Sequence, residues 1–123
     1  MANTENELYI KREYQRYPCN LPVKVITSDH ELNGTAMNIG LGGLFVVADS
    51  VPSPLELDST VNIHFKLPSM VAHIEVHACI RWNSQNAFGV QFIGLQAKDA
   101  RSLRQYIEDM DRLTFIKTVI DKE

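Results

Sequence analysis

Two arginines, Arg12 and Arg16, stand four residues apart in "KREYQRYPC", just before a proline and a run that reads as a β-strand. A guanidinium is planar, always charged, and carries a fork of donors that fits two oxygens of a phosphate. On a helix the pair would share a face; on a loop wrapped around a ligand each would grip a different oxygen. The plainer reading is two solvated surface charges, the usual fate of an isolated pair. Lys11 precedes the first arginine and is open to the same two readings. Farther along, "NIGLGGLFV" sets Gly40, Gly42 and Gly43 within four residues. Glycine at that density means that the backbone visits positive φ or that something approaches it closely. Successive N–H groups in such a turn can cradle an anion, and a tight turn with a bulge is the plainer alternative. No Gly-Lys-Ser/Thr follows, so this is not a P-loop. A strand and not a helix comes next, which excludes the dinucleotide fingerprint.

The remaining reactive side chains offer less. His73 and His77 in "HIEVH" are four apart. On a strand that spacing is about 13 Å, too far to share one ion, so they read as outward-facing strand residues. His30 and His64 have no partner visible in sequence, and no metal site is expected. Trp82 reads as a core residue. Arg81 then points to the opposite face, either as a surface residue or as an edge contact to a ligand. Cys19 and Cys79 lie in strand-like contexts. A disulfide is possible on count, but without a secretion signal reduced thiols are expected. No Ser/His/Asp, Cys/His or paired-carboxylate arrangement stands out, so no enzymatic activity is expected. A phosphoesterase, for example, would need metal ligands or a nucleophile–base pair at the glycine turn.

The elements that must position these residues follow from periodicity. "NLPVKVIT" alternates Leu21, Val23 and Val25 against Pro22, Lys24 and Ile26, the pattern of a half-buried strand. "ELNGTAMNI" is a second extended segment in which Gly34 reads as a bulge or kink. "LFVVA" is a third. "TVNIHFKLP" alternates cleanly, with Val61, Ile63, Phe65 and Leu67 inward. "VAHIEVHACIRWN" and "NAFGVQFIG" complete six strands separated by turn signals, which favours an antiparallel barrel or sandwich. From Ala97 the period changes: Leu103, Tyr106, Ile107, Met110 and Leu113 recur at spacings of three and four, an amphipathic helix. Past Leu113 the chain is more apolar than one helix face requires, as a helix continuation or a docking tail would be.

Composition bounds the possible partners. The 123 residues allow one ordinary domain, and 45% hydrophobic with 22% charged residues is a globular balance. A net charge of −3 gives no global field to attract long nucleic acid, so any anion site must be local. No run approaches the roughly 18–20 apolar residues that span a bilayer, and the polar, acidic start "MANTENELYI" reads as neither signal peptide nor anchor. A cytoplasmic location without membrane insertion is expected.

Taken together, the segments resemble a PilZ domain, the receptor family for the bacterial second messenger cyclic di-GMP. Its first motif, Arg-x-x-x-Arg before a strand, is matched by Arg12-Glu13-Tyr14-Gln15-Arg16. Its second, Asp/Asn-x-Ser-x-x-Gly at the end of the second strand, is matched by Asn38-Ile39-Gly40-Leu41-Gly42-Gly43. The later "IRW" and "FGVQFIGL" strands and the closing helix fit the same template over residues 9 to 112. The resemblance implies a mainly β fold: a six-stranded antiparallel barrel with a C-terminal amphipathic helix. It divides the chain into an N-terminal segment 1–10, a domain 11–112, and a helix continuation or tail 113–123. It further implies that Arg12 and Arg16 hold phosphate and stack on guanine, that Asn38 hydrogen-bonds a guanine edge, and that Gly43 permits close approach. Lys11 and Arg81 are additional candidate contacts.

One position departs from the pattern: Gly40 stands where the motif has serine, so a hydroxyl is missing. The expectation is a receptor with weakened or altered binding. Its arginine segment would order on the ligand, and it would act through an unidentified protein partner on motility, exopolysaccharide or virulence, with no cofactor. The alternative is a degenerate PilZ domain that has lost the ligand and serves as a protein-interaction adaptor.

Overall fold

The structure, a computed structural model, describes residues 16–48, 55–68 and 72–121, with the helix side chains described as far as residue 113. Its elements are β1 (Tyr17–Ile26), β2 (Glu31–Ile39), β3 (Gly43–Val47), β4 (Thr60–Leu67), β5 (Ala72–Asn83), β6 (Ala87–Ile93) and α1 (Ala97–Asp121). The strands close into an antiparallel barrel in the order β1-β2-β3-β6-β5-β4. Closure follows from β1 pairing on both sides, with β2 and with β4, so that its backbone donors and acceptors find partners in two directions.

The alternation read from the sequence sets which side chains fill the barrel. Leu21, Val23 and Val25 of β1 and Val61, Ile63, Phe65 and Leu67 of β4 are all buried, and Ile74, Val76, Phe88 and Val90 meet them from β5 and β6. Helix α1 buries Leu103, Tyr106 and Ile107 and packs Met110 against the same core, while Arg101, Arg104 and Glu108 face solvent. Asp99 in its first turn complements the positive end of the helix dipole. The predicted apolar stripe stops short: Leu113 is 64% exposed, although the backbone stays helical to Asp121. Tyr17 at the start of β1 donates its hydroxyl proton to Asp111 Oδ2 at 2.9 Å, tying the barrel's entry strand to α1.

The strands depart from regular pairing at three places. The register of β1 shifts between Pro18 and Leu21, that of β2 between Ala36 and Asn38, and that of β5 between Ile80 and Trp82. Gly34 is not one of them. It pairs in register with Val23, and its missing side chain leaves room for β3: a Cβ there would lie 2.8 Å from Val46 Cγ1 and 2.9 Å from the Val47 carbonyl oxygen. The predicted bulge therefore belongs to Met37, three residues on, and Gly34 serves strand-to-strand approach.

Candidate functional site

Arg16 enters the barrel one residue before β1, and Tyr17 and Pro18 pair with Ile39 and Asn38 at the end of β2. This register carries the guanidinium to the second motif. Arg16 Nη1 donates to Asn38 Oδ1 at 3.3 Å, and Arg16 Nη2 lies 3.0 Å from where a Gly43 Cβ would be. That Cβ would also be driven into the Val90 carbonyl oxygen, so only glycine lets β3, β6 and the guanidinium converge here. Partial desolvation lowers the Arg16 pKa from its usual value, yet an arginine remains charged at any physiological pH. The two motifs, 22 residues apart in the chain, thus meet through Arg16, Asn38 and Gly43.

The turn between β2 and β3 is tied by one backbone bond within it and one to β6. Gly40 N donates to Gly43 O at 3.0 Å, and Gly42 O accepts from Phe92 N at 2.8 Å. Of the two explanations for its glycine density, close approach is the one seen. Among the described residues the left-handed region holds Gly94 (φ 66°) and Asp58 (φ 67°), and not Gly40, Gly42 or Gly43. Gly40 is buried and does not line the adjoining cleft.

That cleft, about 580 Å³, is bounded by Arg16, Asn38 and Gly42 on one side and by Phe45, Arg81, Trp82, Gly89, Val90 and Gln91 on the other. Trp82 corrects the sequence reading. It is 49% exposed, not a core residue, and its ring sits 5.5 Å from that of Phe45 at an interplanar angle of 32°. Nor do Arg81 and Trp82 point to opposite faces. The β5 bulge adds Arg81 as an unpaired residue between Ile80, which faces Val90, and Trp82, which faces Gly89. Both side chains therefore emerge on the outer surface. A period-two reading cannot see an inserted residue, and no local turn signal marks this one. Gly89, paired with Trp82, leaves the face of the cleft below the indole free of any side chain; a Cβ at Gly89 would lie 3.8 Å from the Trp82 Cβ.

Arg81 is held in place. Its Nη1 donates to Asp58 Oδ1 at 2.7 Å and its Nε to Gln91 Oε1 at 2.9 Å. Lys11 and Arg12 lie outside the described residues. Cys19 is no nucleophile. Burial pushes its thiol up to about 11, and it donates to the Ala36 carbonyl oxygen. Cys19 and Cys79 are both free thiols. The cleft thus offers two guanidinium groups, the side-chain amides of Asn38 and Gln91, two glycines and an aromatic pair. That set suits a planar, anionic ligand: phosphate oxygens on arginine, a base edge on asparagine, and a ring face on tryptophan.

Comparison with known proteins supports this arrangement at the level of family and fold. The PilZ domain family matches residues 10–109, and the chain belongs to that family. The chain is similar in structure to the Bacillus subtilis inhibitor of motility MotI/DgrA (24% identity, TM-score 0.70), covering 86% of this chain and 52% of that one. It therefore spans about half the length of that protein. It is also similar to the PilZ domain of YcgR from Escherichia coli with c-di-GMP (15% identity, TM-score 0.71), covering 88% and 97% of the two chains. The PilZ domain of CeSA from a cellulose-synthesizing bacterium matches at 19% identity and TM-score 0.64, over 79% and 98%. No curated protein shows significant sequence similarity to the chain. Among the described residues no helix is long and apolar enough to cross a membrane.

Proposed function

We propose that this chain is a cyclic di-GMP receptor that regulates a protein partner when its N-terminal arginine segment closes on the ligand. The observation that carries the reading is the convergence of Arg16, Asn38 and Gly43 at one edge of a cleft whose other wall presents Arg81 and Trp82. Membership of the PilZ family and the ligand named for the YcgR domain support it. In this reading Arg12 and Arg16 grip phosphate and cover guanine, Asn38 bonds a guanine edge, and Trp82 with Phe45 supplies a stacking face. Arg81 meets the ligand at the rim, and Lys11 adds charge from the N-terminal segment.

The missing motif hydroxyl does not overturn this. A neutral hydrogen bond is worth about 0.5–1.5 kcal/mol net, whereas each charge-assisted arginine contact is worth about 1.5–3 kcal/mol. Closure has a route to the rest of the molecule, because Arg16 is followed at once by Tyr17, whose hydroxyl is bonded to Asp111 of α1. Ordering the arginine segment would then be felt at the helix, where a partner reads it. The output belongs to the motility, exopolysaccharide or virulence class, in the cytoplasm, and the ligand is the sole small molecule required.

Calorimetric titration with cyclic di-GMP, with GTP and cyclic AMP as controls, tests the proposal. Saturable, selective binding in the micromolar range or tighter is the expected result, and its stoichiometry distinguishes one bound nucleotide from an intercalated pair. Absence of heat together with an unchanged melting temperature would refute it and leave the adaptor reading.

A further inference from the structure

The outer face of β4 and β5 brings together three side chains that the nucleotide cleft does not use. His64 stands directly opposite Glu75 in the strand register, and His73 lies two residues from Glu75 on the same face. The sequence reading leaves His73 and His77 too far apart to share an ion and gives His64 no partner; the fold brings His73 to His64. Their rings meet edge to face with centroids 5.7 Å apart. One nitrogen from each imidazole and a Glu75 carboxylate oxygen all lie within 4.8 Å of one another.

These groups converge without bonding to each other. Glu75 Oε1 is 3.8 Å from His64 Nδ1 and 3.5 Å from His73 Nε2, beyond the roughly 2.7–3.2 Å of a hydrogen bond. A tetrahedral ion with bonds of about 2.0–2.2 Å holds its ligand atoms roughly 3.3–3.6 Å apart. The two imidazole-to-carboxylate separations already fall close to that edge length. The remaining adjustment, bringing the imidazoles nearer to each other, needs only side-chain rotation. His73 and Glu75 are more than half exposed and free to make it, and His64, 24% exposed, is the fixed member.

We propose that His64, His73 and Glu75 form a binding site for a divalent transition metal, Zn²⁺ being the best match. Two imidazoles and one carboxylate are a borderline-soft N/O set that favours zinc over the oxygen-seeking Ca²⁺ and Mg²⁺. Three protein ligands leave a fourth position open toward the cleft that they share with Asn62, His77 and Asp99, where water or a donor from a partner would complete the shell. Lys66, opposite His73 in the register, and Lys98, on the cleft wall, are exposed, so either can turn its ammonium away from the ion. The site shares no residue with the nucleotide cleft and does not depend on its function.

The test uses the full chain without a histidine tag and without nucleotide, titrated with zinc chloride against a chromophoric chelator, with Co²⁺ as a spectroscopic substitute. The expected result is one ion per chain and visible Co²⁺ ligand-field bands. Affinity should fall at least about tenfold in each of His64→Ala, His73→Ala and Glu75→Gln, and stay unchanged in His30→Ala and His77→Ala. All three ligands lie on the outer surface, and circular dichroism melts of each variant verify that it folds. The proposal is overturned by absence of saturable binding. It is equally overturned by binding that survives all three substitutions, that falls as far in His77→Ala, or that is abolished by alkylating the cysteines.

Discussion

Replacing Arg16 by alanine separates ligand binding from folding. In the fold Arg16 makes one described hydrogen bond, to Asn38 at 3.3 Å, long and exposed. Such a bond contributes about 1 kcal/mol or less, which for a domain of this size moves the melting temperature by roughly 3–6 °C at most. In the complex the same guanidinium would contact a phosphate while already partly desolvated. Losing it should cost about 1.5–3 kcal/mol, a rise in Kd of roughly ten- to 150-fold. Arg16→Lys keeps the charge but loses the fork, and should fall between wild type and Arg16→Ala. Calorimetry for affinity and a thermal melt for stability measure the two effects on the same samples. A melting temperature that collapses while affinity is retained would show that Arg16 builds the barrel entrance instead of gripping a ligand, and the reasoning would fail.

Gly43→Ala should destabilise the fold by at least about 1–3 kcal/mol in urea unfolding, because the added methyl meets the backbone of β6, which cannot swing aside. Trp82→Ala should weaken nucleotide binding by about 1–3 kcal/mol through lost stacking, with a much smaller effect on stability since the ring is half exposed; unchanged affinity would remove the indole from the site. Tyr17→Phe, which deletes the bond to Asp111, should cost about 1 kcal/mol of stability and raise hydrogen exchange in α1; no change in either would deny the link between entry strand and helix. The thiol of Cys19 is raised to about 11 from an ordinary 9.0, by burial. Its stabilising effect is therefore complete below pH 9 and lost as pH climbs through about 11. Tyr106, also raised by burial and by Cys19, acts in the same direction. A plot of stability against pH should thus fall in that alkaline window and flatten in Cys19→Ser, and an identical slope in the variant would contradict the assignment.

The barrel is legible in the sequence because its strands obey the simplest rule available. In β4 every second residue is buried without exception, and period two is visible in any eight-residue window. The helix is legible for the same reason until Leu113, where an apolar residue emerges into solvent and the pattern no longer reports burial. At the site, motif spacing identifies Arg16, Asn38 and Gly43, and the register brings those three together. Trp82 escapes such a reading because a large aromatic is most often buried, and nothing local in the sequence shows that the inserted Arg81 turns it outward. The meeting of His64 with His73 is invisible for a different reason. It depends on which residue of β4 faces which residue of β5, a register fixed by the closed barrel and not by either strand alone.

The three irregular pairings have a common logic. A regular barrel strand exposes alternate residues and so presents a uniform outer surface; it cannot set two consecutive side chains into one cleft. The β5 bulge does this for Arg81 and Trp82. The β2 bulge at Met37 restores the register so that Asn38 pairs with Phe45 on one side and Pro18 on the other. The β1 bulge allows the strand that buries Leu21 to begin beside Asn38, with Arg16 at its threshold. Each insertion leaves a residue out of the ladder and bends its strand, a local cost that a barrel built for stability alone would avoid. All three fall on strands that run to the Arg16 cleft, and none on β4, whose regular alternation fills the core on one face and sets His64 on the other. The irregular pairings therefore gather on the side of the barrel where Arg16, Asn38, Arg81 and Trp82 meet, while β3 and β6 join that cleft by regular pairing.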